Sequence, residues 1–157
     1  MNPPSPRASA APSRARDSAG VTRRFGAMLY DSLVVIALLM VVTALLMIPL
    51  DGEPISAERV GIFEYVYQGL LVSMTAGFFG LFWTRRGQTL GMMAWRLKLQ
   101  RMDGRPIGWR DALLRLAGAT ISLGLLGLGY FWIWIDRDRL AWHDRWSRTR
   151  VCVLPKR

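Results

Sequence analysis

Apolar positions along the chain fall into three unbroken blocks, Leu33–Leu50, Tyr65–Trp83 and Leu116–Ile135. None holds Asp, Glu, Lys, Arg or His, and each runs about 18–20 residues, enough for a helix to cross a hydrocarbon core of about 30 Å. Between the blocks the periodicity changes. Thr89–Trp95 is short and apolar, as in a helix lying along a membrane interface. Arg96-Leu97-Lys98-Leu99-Gln100 alternates polar with apolar, a strand pattern, and Met102-Asp103-Gly104-Arg105 follows as a turn. Thr149–Leu154 is again strand-like and ends at Pro155. These patterns predict an all-α membrane protein with three hydrophobic regions, a short interfacial helix and a small cytoplasmic β-ribbon. The spans are expected at about 27–49, 62–83 and 111–135.

The third region differs from the other two. Gly118, Gly124, Gly127 and Gly129 interrupt it. Three plain spans starting from an inner N-terminus would leave the C-terminus outside. Yet Arg137, Arg139, Arg145, Arg148, Arg150, Lys156 and Arg157 mark the tail as an inner segment. A re-entrant hairpin or two short spans resolves the conflict, with one straight span as the alternative. In the second block, Gly69, Ser73, Thr75, Ala76, Gly77 and Gly80 form a small-residue face suited to close helix packing. A solute path along Gln68, Ser73 and Thr75 is the competing use of that helix.

Charge assigns the sides. The net charge of +10 is carried by basic residues clustered beside the apolar blocks, as topology signals and anionic lipid headgroups require; nucleic acid is not an expected partner. The segment 84–110 is rich in arginine and reads as cytoplasmic, whereas Asp51-Gly52-Glu53-Pro54 reads as an external turn. Residues 1–22 are rich in Pro, Ser, Ala and Arg and read as a disordered basic tail, leaving a transmembrane domain at 23–154 and a short tail at 155–157. Trp83, Trp109, Trp132, Trp134, Trp142 and Trp146 stand where interfacial anchors are expected.

Candidate chemistry is sparse. Cys152 and His143 are each the sole residue of their type, so neither an intrachain disulfide nor a multi-histidine metal site can form, and no cofactor is expected. His143 and Asp144 are neighbours with no placed nucleophile, and Ser122 and Ser147 lack a nucleophile-elbow context, so no catalytic residue is assigned and no enzyme is expected. What stands out is Arg24 followed seven residues later by Asp31 at the head of the first apolar block. Two helical turns put them on one face about 10.5 Å apart along the axis, too far to pair directly. Asp31 is expected to pair with Arg115, and Arg24 to face lipid phosphate or a later carboxylate such as Asp144.

These phrases together resemble the RDD family of small bacterial membrane proteins, named for an arginine and two aspartates. Arg24-Phe25-Gly26-Ala27-Met28-Leu29-Tyr30-Asp31 looks like its opening motif. Gly87-Gln88-Thr89-Leu90-Gly91 is similar to the segment after the second span, and Leu113-Leu114-Arg115 to the start of the third region. Leu140-Ala141-Trp142-His143-Asp144 through Thr149-Arg150-Val151 looks like the closing motif, with Asp144 as the second aspartate. Two places depart from the pattern: Met92-Met93 stand where a basic residue is usual, and Ser147-Arg148 where small residues are. The resemblance implies a multi-pass protein of the bacterial inner membrane with a cytoplasmic N-terminus.

It also implies a function class, transport of an unnamed ion or small solute. The alternative is a non-catalytic scaffold or assembly subunit, as a homo-oligomer or with a membrane partner, in which Arg24, Asp31, Arg115 and Asp144 only lock the helices. The shallow place of Asp31 suits a lock or gate better than a mid-membrane ion site.

Overall fold

The computed structural model describes residues 19–48 and 61–155. The expected external turn at Asp51–Pro54, residue 49 at the end of the first expected span and most of the basic tail lie outside the described residues.

Helix α1 spans Val21–Met47 and α2 spans Gly61–Arg85. At 27 and 25 residues they are about 40 and 37 Å long, and both are apolar enough to cross a membrane. Their outer surfaces are apolar, with Leu33, Ile36, Met40 and Val41 on α1 and Ile62, Phe63, Val66 and Val72 on α2 exposed. The buried stripe of α1, by contrast, is Arg24, Ala27, Asp31 and Val35, spaced three or four residues apart. This inverts the amphipathicity of a soluble helix, because lipid rather than water faces the outside. α1 begins at Val21, six residues before the expected span, because Ala19 is buried and its N–H binds the Val151 carbonyl at 2.9 Å. Residues 19–22 are therefore part of the fold rather than of a tail.

After α2 the chain forms helix α3, Leu90–Ala94, then strand β1, Leu97–Arg101. Thr89 caps α3, its Oγ1 accepting from the Met92 N–H at 3.2 Å. α3 is the expected short helix, and one of its faces packs on α1. Thr89, Gly91 and Met92 are buried, and a Cβ on Gly91 would overlap the Ala27 carbonyl of α1, so the two helices touch through backbone.

The third region consists of α4, Trp109–Gly124, and α5, Leu128–Phe131, continued by a 3₁₀ turn at Trp132–Trp134. The two parts meet at 107°. The break uses two left-handed residues, Leu126 at φ 55° and Gly127 at φ 78°, and the Gly127 N–H returns to the Ser122 carbonyl at 2.8 Å. Gly129 then packs so closely on Ser122 that a Cβ would overlap its hydroxyl.

Helix α6, Trp142–Trp146, leads into strand β2, Thr149–Val153, which pairs antiparallel with β1 from Leu97↔Val153 to Arg101↔Thr149. Arg96 and Arg148, each one residue before a strand, both hold left-handed backbone, at φ 57° and 50°. Each ends a short helix and turns the chain into its strand, a task usually given to glycine. The start of α1, the end of α2 and both strands gather at one end of the molecule, over a core of Ala19, Ala27, Trp83, Met92, Leu97, Leu99, Ile107, Ala112 and Val151.

Two expectations for α2 and the aromatics need correction. Gly69 and Gly77 face open space, and only Gly80 meets a neighbour, the Trp109 ring, so the small-residue face is not a continuous packing seam. Trp83 is buried, rather than interfacial, because it sits under the Arg115 guanidinium.

Candidate functional site

Asp144 is the centre of the charged residues, and it is fully buried. It lies in the first turn of α6, where its Oδ2 accepts from the Ala141 N–H at 3.1 Å, so it first caps its own helix. Arg24 of α1 reaches the same Oδ2 with Nη1 at 2.5 Å. Arg115 of α4 holds Oδ1 through its own Nη1. One carboxylate thus ties three elements together. The α4–α6 approach that permits it depends on Gly118, where a Cβ would come within 3.1 Å of the His143 Cβ.

The two arginines are used differently. Arg24 uses all three of its nitrogens, because beside the Nη1 bond Nε donates to the Ala19 carbonyl at 3.0 Å and Nη2 to that of Arg139 at 3.4 Å. Among the described residues Arg115 donates only through Nη1, to Asp144 and to Thr149 Oγ1 at 3.0 Å, while its guanidinium lies 5.4 Å from the Trp83 ring centroid. Thr149 is oriented by Ser147 Oγ at 2.7 Å, and the Ser147 hydroxyl sits 2.6 Å from the His143 carbonyl, to which it donates.

Electrostatics follow from this packing. Burial favours a neutral Asp144, but the guanidinium charges of Arg115 and Arg24 outweigh it and hold the carboxyl well below the usual carboxylate range. His143 is pushed down to about 3, by burial first and then by the Arg115 charge, so its imidazole is neutral. Its Nε2 stands 3.6 Å from Asp144 Oδ1, too far for a hydrogen bond, and its ring stacks on Tyr130 at 4.7 Å between centroids.

Asp31 does not pair with Arg115. Its Oδ2 accepts from Thr89 Oγ1 at 2.5 Å and its Oδ1 from the Gly91 N–H at 2.8 Å, both at the start of α3. A hydroxyl and a backbone N–H, rather than a cation, satisfy the carboxylate. The expected four-residue network is therefore two separate sets, Arg24–Asp144–Arg115 and Asp31–Thr89–Gly91. The remaining motif residues tie strand to helix: Gly87, at φ 66°, offers its carbonyl to the Leu99 N–H at 2.7 Å, and Gln88 Nε2 donates to the Leu97 carbonyl at 2.6 Å.

A cavity of about 280 Å³ joins the two sets. Arg24, Asp31 and Arg115 line it together with Trp83, Thr89, Tyr130 and His143, while Phe79, Leu116, Ala119 and Leu123 give it apolar walls. Of the polar residues expected on α2, Thr75 borders it; Gln68 instead bonds Glu64 at 3.0 Å and Ser73 bonds the Gly69 carbonyl at 2.7 Å. Trp83, Tyr130 and Thr149 were not legible as site residues, since none stands in a charge pattern. Among the described residues, no group of three or more His, Cys, Asp or Glu side chains comes together as a metal site would need.

No curated protein and no solved structure matches the chain significantly. The model of the RDD family matches residues 18–148, from just before Ala19 through α6. That stretch contains all three members of the Arg24–Asp144–Arg115 set and all of Asp31–Thr89–Gly91, leaving residues 1–17, β2 and the residues after β2 unmatched. The chain belongs to the RDD family.

Proposed function

We propose that this membrane protein binds an ion or small solute in the cavity between α1, α2 and α4 and carries it across the bilayer. One observation supports this above the others: a cavity with charged and polar groups on its wall lies between helices whose outer surfaces are apolar. Ionisable groups are costly at such a place and usually serve a pathway or a lock. The bilayer is that of the bacterial inner membrane, with anionic headgroups meeting the exposed Arg85, Arg86 and Arg105 and the N-terminus cytoplasmic. The third region is re-entrant and returns the C-terminus to the cytoplasmic side. Support comes from its 107° bend and from the pairing of β2 with β1. Flux through reconstituted proteoliposomes tests the reading. Asp31→Asn protein that remains folded should lose the flux, and equal flux in both forms would refute it. A membrane-impermeant maleimide tests the topology on a cysteine added after Arg157; labelling of intact cells from outside rules out the re-entrant arrangement.

A scaffold or assembly role is the second reading. It is favoured by the commitment of Asp144, whose two oxygens are taken by two arginines and a backbone N–H. A scaffold carries no flux in any form, and Asp144→Asn costs it folding or a co-purifying partner.

A further inference from the structure

The two arginines and Asp144 sum to one excess positive charge in a buried place, since His143 is neutral. Arg115 also has unused donors. A guanidinium carries five N–H groups, and both side-chain bonds that Arg115 makes among the described residues leave from Nη1, so Nε and both hydrogens of Nη2 remain there. Arg115 borders the cavity, with Leu116, Ala119 and Leu123 continuing from it along the same helix as an apolar wall. Asp31 is about two turns from the Arg24 level and already accepts from Thr89 and Gly91, so it leaves the Arg115 end free for a negative group.

We propose that Arg115 is the anion receptor of this cavity, taking the carboxylate or phosphate head of an amphiphile whose apolar chain lies along Leu116, Ala119 and Leu123. Planar donor pairs on Nε and Nη2 match two oxygens of such a head, which a lysine ammonium cannot do. The head can belong to a bilayer lipid or to a free single-chain anion. This inference rests on the reading of the cavity as a binding site, and names the ligand class.

The test uses the full chain in nanodiscs of zwitterionic lipid, photolabelled with a diazirine-bearing dodecyl phosphate. Label is expected on Leu116 or Ala119, competed by dodecanoate and not by dodecyltrimethylammonium. Competition by phosphatidylglycerol as well assigns a lipid source; competition by dodecanoate alone assigns a free amphiphile. Arg115→Lys, which keeps a cation for Asp144, should weaken labelling about tenfold. Ala119→Trp, which fills the wall without touching a charge, should abolish it. Labelling unchanged in either variant, displaced by the cationic amphiphile, or confined to the exposed outer faces overturns the proposal. Anion binding without flux in proteoliposomes overturns the transport reading alone, and cation flux without anion binding overturns this inference alone.

Discussion

Arg24 and Asp144, 120 positions apart in the chain, meet at 2.5 Å with both side chains shut away from solvent. Arg115 takes the other oxygen of the same carboxylate. Removing the single anion leaves two buried cations facing each other. Asp144→Asn is therefore expected to cost at least about 3–5 kcal/mol, measured by unfolding in mixed detergent micelles. A double-mutant cycle between Arg24 and Asp144 should give a coupling above about 1 kcal/mol, and one between Asp31 and Arg115 a coupling near zero. Strong coupling of Asp31 to Arg115 would sink the two-set description.

The Asp31 carboxylate works through Thr89, which in turn caps α3. Thr89→Val removes the hydroxyl at nearly constant volume and strands both partners, so a loss of about 1–3 kcal/mol is expected. Thr89→Ser should restore most of it. Hydrogen exchange localises the effect: the amides of Gly91 and Met92 should lose protection in the valine variant alone.

His143 predicts a pH dependence with a definite sign. Its folded-state value, about 3, lies below the ordinary histidine value of 6.5, so the unfolded chain binds the extra proton between those limits. The stability of the neutral, buried ring is present above pH 6.5 and is lost as pH falls toward 3. The slope reaches at most about 1.4 kcal/mol per pH unit. Asp144 adds nothing to this slope near neutrality, because its carboxyl stays ionised in both states there. Stability measured from pH 7.5 to 4.5 should show the slope in the parent and lose it in His143→Gln.

Arg148 occupies a left-handed backbone position with an exposed side chain. Arg148→Gly is expected to stabilise the protein by about 0.5–1 kcal/mol, through relief of Cβ strain partly offset by the flexibility glycine adds to the unfolded chain. A lower midpoint of thermal unfolding in that variant would show the turn to be unstrained.

Much of the fold is legible in the sequence for simple physical reasons. Spans α1 and α2 are visible as charge-free runs of membrane length, and β1 and β2 as alternating segments beside a turn. The glycines of Ser122–Gly129 mark a break, although its 107° angle depends on Ser122 accepting the Gly127 N–H, which no spacing reveals. The site is less legible. Matching opposite charges finds Arg24 with Asp144 but also suggests Asp31 with Arg115. That second pairing is wrong because the nearest donors to Asp31 are a hydroxyl and a backbone N–H, which carry no formal charge. Trp83 looks like every other interfacial tryptophan until Arg115 is placed over it.

The inverted stripe of α1 has a consequence for how the protein is made. Arg24 and Asp31 stand on α1, which is synthesised before α3, α4 and α6. Asp31 waits for Thr89 and Gly91, and Arg24 for Asp144, which lies 120 positions later. Until α3 is made Asp31 lacks its hydroxyl and N–H donors, and until α6 is made Arg24 lacks its carboxylate. A ribosome stalled before Asp144 would expose an unfinished membrane protein to the insertion machinery and its proteases. Closure of the bundle around Asp144 therefore waits on the synthesis of α6.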